Sequence, residues 1–234
     1  MRGTINVGGV DISKWERTQL KQRFGIMLND VRTISDASRF LSGASLEEIF
    51  EPTKLNRRGS QSAAERDAIG VALKLTGLSS SLLPKLQSKL STVVTANEDE
   101  LMPSPLRPPS YPLSPSEWSK VVLTKILAQT IFCNDNPMSS PDSITRCMLG
   151  SILLLDDATA HMSEIEEAKF IKALQRSGAA TLLTSKRWAI GRFVDRIVVV
   201  RDGSVIESGS HPELLARGAQ RSIYAAKWVE MTSE

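Results

Sequence analysis

Two adjacent carboxylates, Asp156 and Asp157, directly follow a short apolar run, Ile152 to Leu155. An apolar run without alternation is typical of a strand that is buried on both faces of a parallel sheet. Open α/β sheets bind ligands at the carboxyl ends of their strands, which is where these two acids would lie. The first carboxylate could hold Mg²⁺ there, and the second could position or activate water. A core strand that leaves through an acidic turn has the same residues, so both interpretations stay open on this stretch alone.

Strands and helices along the chain must position these acids, and they alternate most clearly in its second half. Apolar runs predict strands at residues 24–28, 152–155, 181–184 and 197–200. Apolar residues at spacings of three or four predict helices within residues 60–90 and 116–130, and one or two helical turns at 46–50. Residues 3–12 alternate around a Gly-Gly turn and predict a short hairpin. The alternation of strand and helix favours a parallel sheet covered by helices.

Two stretches have the spacing of a capping box, in which a serine and a glutamate three residues later cap a helix start. Residues 13–16 predict a helix that continues to about residue 23, and residues 163–166 predict one that ends at Gly178. The proline-rich residues 96–113 and the polar residues 132–150 are predicted to be surface insertions.

The composition is that of an ordinary globular protein, with 234 residues and a net charge of +3. This length suffices for one large domain or two small ones, and the charge is too small to argue for nucleic acid or a membrane surface. Cys133 and Cys147 have no C-x-x-C spacing, so the sequence supports neither a zinc site nor a disulfide framework. No apolar run approaches the roughly 20 residues that a membrane-spanning helix needs.

Six stretches, in the same order, resemble the nucleotide-binding domain of an ATP-binding cassette (ABC) exporter. They are GTINVGGVDI, which resembles the G-x-I-x-x-x-G-x-D-I hairpin; LKQRFGIMLND, which resembles the strand ending in the Q-loop; residues 42–49, which resemble S-G-T-I-x-E-N-I; LSPSE, in the place of the signature LSGGQ; ILLLDDAT, which resembles the Walker B strand; and DRIVV through GSVIESGSHPELLA, which resembles the exporter-type ending.

The resemblance implies an α/β fold with a P-loop NTPase-like parallel sheet core and an inserted helical subdomain. It implies a division into residues 1–43 (hairpin and Q-loop strand), 44–130 (helical subdomain with the signature-like helix) and 131–234 (Walker B, switch region and tail). The chain contains no Gly-Lys dipeptide and so no phosphate loop G-x-x-x-x-G-K-[ST]. The N-terminal part of the core is therefore expected to be missing, which would leave apolar surface uncovered.

The resemblance also implies roles for single residues. Asp156 stands where the family has its Walker B Mg²⁺ ligand, and Asp157 replaces the catalytic glutamate with a side chain one methylene shorter. Asn29 replaces the Q-loop glutamine that contacts Mg²⁺ and water. Ser114 is retained from the signature that meets ATP bound by the partner domain, although it would serve equally as a helix cap. Lys186, in T-S-K-R-W against the family's I-A-H-R-L, replaces the switch histidine; a solvated basic residue is the stronger interpretation of it.

The function that the resemblance implies is coupling of ATP binding and hydrolysis to membrane transport. ATP and Mg²⁺ would be the cofactors, a transmembrane domain and a second nucleotide-binding domain the partners, with no nucleic acid. The location would be the cytosolic or organelle-matrix face of a membrane. Because four catalytic motifs are altered, hydrolysis is expected to be weak or lost, and a non-catalytic pseudo-ATPase that regulates or interacts is the alternative. A soluble cassette ATPase of DNA repair or translation is disfavoured by the exporter-type ending.

Overall fold

The computed structural model describes residues 3–28, 41–50, 63–95, 110–133 and 144–233. Residues 35–40, for which the sequence predicts a loop insertion, lie outside the described residues. So do most of the two predicted surface insertions, at 96–109 and 134–143.

The described residues form strands and α-helices in an order that mixes the two throughout. The strands are β1 (Asn6–Val7), β2 (Val10–Asp11), β3 (Phe24–Leu28), β4 (Val93–Thr95), β5 (Ser110–Pro112), β6 (Ile152–Asp156), β7 (Ala180–Thr184), β8 (Ile197–Arg201) and β9 (Ser204–Gly209). The helices are α1 (Arg17–Arg23), α2 (Leu46–Phe50), α3 (Ala63–Thr76), α4 (Leu78–Ser81), α5 (Pro115–Phe132), α6 (Glu164–Ser177), α7 (His211–Ala216) and α8 (Ile223–Thr232).

A parallel sheet of strand order β3-β6-β7 carries the two adjacent carboxylates. Its register pairs Leu28 with Asp156, and Asp156 with Thr184, so all three strands end at the same level. The prediction of a parallel sheet with Asp156 at a strand's carboxyl end is confirmed. The long connections between these strands run through helices, as parallel pairing requires.

One face of this sheet packs against helix α5. Met27, Leu153 and Leu155 point to that face and share one apolar cluster with Leu123 and Leu127 of the helix. The close approach depends on Gly25, where a Cβ atom would lie 2.6 Å from both the Leu153 Cδ2 and the Thr130 Oγ1 atoms. Helix α5 also packs against α3, and it therefore joins the helical part of the chain to the sheet.

The opposite face of the sheet is apolar and accessible. Ile26, Leu28 and Leu182, which alternate with the residues of the covered face, are 50%, 55% and 63% exposed. Parallel strands are normally covered on both faces. Among the described residues, no helix covers these side chains.

The C-terminal part folds as the β8–β9 hairpin followed by α7 and α8. Tyr224 of α8 is almost fully buried, and its hydroxyl lies 2.8 Å from the Nδ1 atom of His211. The tyrosine lies directly over Gly191, where a Cβ atom would overlap the Tyr224 hydroxyl. The absence of a side chain at Gly191 is what lets α8 dock.

The capping box predicted at residues 13–16 is wrong. Asp11 accepts a hydrogen bond from the Ser13 backbone N–H at 2.8 Å, and residues 12–14 form a 3₁₀ turn instead. Helix α1 begins at Arg17, and Glu16 precedes it without a side-chain cap. The Asp11 carboxylate is a stronger local acceptor than the serine hydroxyl, and it competes successfully for the turn.

Other boundaries differ from the predictions in identifiable ways. The helix predicted within residues 60–90 ends at Thr76, because Gly77 adopts the left-handed conformation (φ 73°). The parallel pair β4–β5 and the helix α8 were not predicted. The hairpin at residues 3–12, the strand β3 and the end of α6 at Gly178 (φ 79°) are confirmed.

Candidate functional site

Asp156 and Asp157 lie at the carboxyl end of the central strand of the sheet. Asp156 is the last residue of β6, and its side chain is exposed. Asp157 follows in the left-handed region with φ 46°, which is uncommon for residues other than glycine and is tolerated best by asparagine and aspartate. The chain thus turns sharply between the two acids, and their side chains are not carried on one continuous strand.

Thr184, the last residue of β7, contacts both acids. Its hydroxyl donates a hydrogen bond to the Asp156 Oδ1 atom at 2.6 Å. The backbone N–H of Asp157 donates to the Thr184 Oγ1 atom at 3.0 Å and to the Thr184 carbonyl oxygen at 3.1 Å. Sequence reasoning missed this residue; the signal was a hydroxyl side chain at the end of the strand predicted at residues 181–184.

Arg187 holds the loop that follows the two acids. Its guanidinium donates to the carbonyl oxygens of Ala160, at 2.9 Å, and Met162, at 2.6 Å. It also forms an ion pair with the buried Glu167 of α6 at 3.3 Å. The segment after β7 and the loop after β6 are therefore joined by one side chain.

Lys186, the predicted counterpart of the switch histidine, lies two residues after Thr184 and is exposed. It makes no hydrogen bond or ion pair with any residue that the structure describes. This lysine follows the carboxyl end of β7, and its ammonium group can bind an anion only as a point charge.

Ser114 caps helix α5 rather than facing an open helix end. Its hydroxyl accepts from the Glu117 N–H at 3.3 Å, and the Glu117 carboxylate accepts from the Ser114 N–H at 3.0 Å. Glu117 is also paired with Lys85 at 3.2 Å. Burial raises the pKa of Glu117, but the hydrogen bonds from Ser114 and Lys85 outweigh burial and lower it overall. The carboxylate is therefore charged at neutral pH and lies at the helix start.

The start of α5 is connected to the start of α6, which follows the loop after Asp157. Lys120, almost fully buried, donates to the Glu166 carboxylate at 2.7 Å, and Glu166 is the capping-box partner of Ser163. These contacts, with that of Lys120 the largest, lower the pKa of Glu166 to about 2. A movement of the start of α5 relative to the start of α6 would have to stretch or break this pair.

The described oxygen donors could hold a magnesium ion only if water and phosphate oxygens supplied most of its ligands. Among the described residues, no group of three or more His, Cys, Asp or Glu side chains could hold a metal. Magnesium commonly binds through one or two carboxylates while it keeps several waters and takes phosphate oxygens. Asp156, with one oxygen bonded to Thr184 and its carboxylate exposed, suits that manner. Asn29, the second predicted ligand, lies outside the described residues.

The structure thus places Asp156, Asp157 and the segment with Lys186 at one edge of the sheet, and Ser114 at the start of a separate helix. A bacterial Atm1-family ABC exporter, solved with ATP bound, matches the whole of this chain with a TM-score of 0.63 and 20% identity. The match covers 32% of that exporter, and at this identity it shows the fold alone.

Two curated relatives match along nearly the whole chain. A lactococcin transport/processing ATP-binding protein of Lactococcus lactis is 23% identical over 223 residues, which cover 95% of this chain and 24% of the relative. An uncharacterized ABC transporter ATP-binding protein of Bacillus subtilis, YfiC, is 24% identical over 231 residues, or 97% of this chain and 30% of the relative. The chain's relatives are ABC transporter ATP-binding proteins.

The chain spans about a quarter to a third of the length of these relatives. No protein-family model matches it. Among the described helices, none is both long enough and apolar enough to cross a membrane.

Proposed function

We propose that this chain is the nucleotide-binding domain of an ABC exporter, in which ATP binding is coupled to membrane transport and hydrolysis is weakened or lost. The observation that carries the proposal is the position of Asp156. It ends the central strand of a parallel sheet with its carboxylate exposed, where Mg²⁺ and the phosphates of ATP could reach it. The relatives, which are ATP-binding proteins of transporters, support the same role.

Weak hydrolysis follows from the chemistry at two places. Asp157 is one methylene shorter than the glutamate of the family pattern, and a water-positioning group displaced by about 1 Å can cost on the order of a hundredfold in rate. At the start of α5, the Glu117 carboxylate already accepts the Ser114 N–H. A phosphate approaching this helix start would meet a negative charge instead of free donors.

The sequence contains no phosphate loop G-x-x-x-x-G-K-[ST], so the proposal expects residues 1–234 to bind ATP only weakly by themselves. The accessible apolar face of the sheet, formed by Ile26, Leu28 and Leu182, supports a further strand and helix on this side. We propose that a strand and helix carrying the phosphate loop, supplied by another polypeptide segment, cover this face. The division into residues 1–43, 44–130 and 131–234 belongs to the same proposal.

The partners follow from the relatives. A transmembrane domain, in the same chain or a partner chain, would receive the conformational change, and a second nucleotide-binding domain would complete each ATP site. The domain would then lie on the cytosolic or organelle-matrix face of a membrane. The relatives, which are named as ATP-binding proteins of transporters, support the transmembrane partner.

A non-catalytic pseudo-ATPase that regulates or interacts is the second candidate. The capping box of Ser114 and Glu117 favours it, because the helix start is occupied by a charged group of the chain itself. In this case the chain would bind its partners without turning over ATP, even when the phosphate loop is restored.

The test is binding of a fluorescent ATP analogue to the 234-residue chain, with and without Mg²⁺, in the wild type and in Asp156→Asn. Asp202→Asn is the matched control, because Asp202 is a fully exposed carboxylate in the β8–β9 turn. The proposal expects Mg²⁺-dependent binding that Asp156→Asn weakens and Asp202→Asn leaves unchanged. Absence of binding in all three proteins contradicts the nucleotide site and leaves the pseudo-ATPase candidate.

A further inference from the structure

The hydroxyl of Thr184 forms hydrogen bonds with both residues of the acidic pair. Its oxygen lies 2.6 Å from the Asp156 Oδ1 atom and 3.0 Å from the Asp157 backbone nitrogen. A hydroxyl has one hydrogen to donate and two lone pairs that accept. The Asp157 N–H can only donate, and the ionised Asp156 carboxylate can only accept. The direction of both hydrogen bonds is therefore fixed.

This arrangement fixes the orientation of the Asp156 carboxylate. The Oδ1 atom is bound to the hydroxyl of the neighbouring strand, so rotation about the side-chain bonds of Asp156 would break a short, charge-assisted hydrogen bond. The Oδ2 atom remains for another ligand in an exposed environment. The same threonine supplies two acceptors to the Asp157 N–H, its hydroxyl and its carbonyl oxygen, and so supports the left-handed backbone at Asp157.

We infer that Thr184 is a positioning residue, which holds the Asp156 carboxylate in one orientation and thereby sets the affinity of this site for a divalent cation. The inference rests on the proposed function, because it takes Asp156 as the cation ligand. Hydrogen-bonding partners that orient a metal-binding side chain commonly contribute 10- to 100-fold to metal affinity. The exporter pattern I-A-H-R-L has isoleucine where this chain has Thr184. An isoleucine has no hydroxyl, so it could make neither side-chain bond.

The test compares Thr184→Val, which keeps the shape and removes the hydroxyl, with Thr184→Ser, which keeps the hydroxyl. The first measurement uses no metal: the two Hα–Hβ scalar couplings of Asp156, which differ when one rotamer dominates and converge when rotamers interchange. The second is the binding of Mn²⁺, a cation that suits the same oxygen ligands as Mg²⁺, followed by the electron paramagnetic resonance of the free ion. Mn²⁺ binding that is lost in Asp156→Asn is assigned to this carboxylate.

The expected result is converged couplings and about 10-fold or greater loss of Mn²⁺ affinity in Thr184→Val, with both values near the wild type in Thr184→Ser. Unchanged couplings or unchanged Mn²⁺ affinity in Thr184→Val would overturn the inference. If the couplings converge but the wild type binds no Mn²⁺ that Asp156→Asn can remove, the proposed cation site itself is refuted, and with it the part of the inference that concerns affinity. The two failures are thus distinguishable.

Discussion

Gly25→Ala should destabilise the protein, because strand β3 lies closer to its neighbours than an added methyl group permits. The new Cβ atom would lie 2.6 Å from the Leu153 Cδ2 atom, 2.6 Å from the Thr130 Oγ1 atom and 3.3 Å from the Ile126 Cγ2 atom. Ordinary contacts of this kind begin at about 3.4 Å, so the Leu153 and Thr130 side chains, or the elements that carry them, would have to move. Overpacking of this kind typically costs about 1–3 kcal/mol.

Gly70→Ala is the matched control within the same chain. Gly70 lies inside helix α3, where a Cβ atom would meet no atom within 4 Å. Replacing glycine by alanine inside a helix typically stabilises by about 0.5–1 kcal/mol. The two identical substitutions should therefore change the free energy of unfolding in opposite directions.

The assay is equilibrium unfolding in urea followed by tryptophan fluorescence, to which the buried Trp118 of α5 contributes. A double variant, Gly25→Ala with Thr130→Ala, should recover part of the loss, because it removes one of the two overlapping atoms. If Gly25→Ala were as stable as the wild type, β3 would not be packed against α5 at this distance, and the reasoning about the covered face of the sheet would be wrong.

Three further predictions concern helix starts and the C-terminal helix. Because the pKa of Glu166 is lowered to about 2, its pair with Lys120 should stabilise the protein near neutral pH and lose that effect as the pH falls from about 4.5 to about 2. The Glu166 side chain is 41% exposed, so solvent screening reduces the expected loss of stability to about 1 kcal/mol. Urea unfolding at pH 5 and pH 3 measures this loss. In Lys120→Met, most of the difference in unfolding free energy between the two pH values should disappear. Gly191→Ala should destabilise by about 1–3 kcal/mol through overlap with Tyr224, seen as faster amide exchange in α8, whereas unchanged exchange would contradict this docking. Glu117→Gln should change the unfolding free energy by less than about 1 kcal/mol, since glutamine also completes a capping box; a larger loss in urea unfolding would show that the charge pair with Lys85 dominates at the start of α5.

Much of the central sheet could be predicted from the sequence, because its strands are short apolar runs with polar ends. The prediction for residues 24–28 matches β3, and Asp156 ends β6 as expected. Ser163 and Glu166 also form the predicted capping box. In each case the local pattern and the tertiary packing require the same structure.

The differences arise where a distant residue or a competing acceptor decides the structure. Asp11 displaces the predicted cap at Ser13 by taking its N–H. The pair β4–β5 has three residues in each strand, too few for a periodic pattern, and one of them is Pro112. In the sequence, Thr184 is indistinguishable from an ordinary strand residue. Its contact with Asp156 depends on the register of β6 and β7, which only the folded sheet establishes.

Arg187 holds the loop after β6 mainly through backbone atoms, so the side chains of that loop can change in evolution. Two of its bonds go to the carbonyl oxygens of Ala160 and Met162, which every amino acid possesses. Substitutions at these positions can therefore change the side chains that the loop presents without removing these attachments. The loop can therefore keep its place beside the sheet while the side chains that it presents diverge.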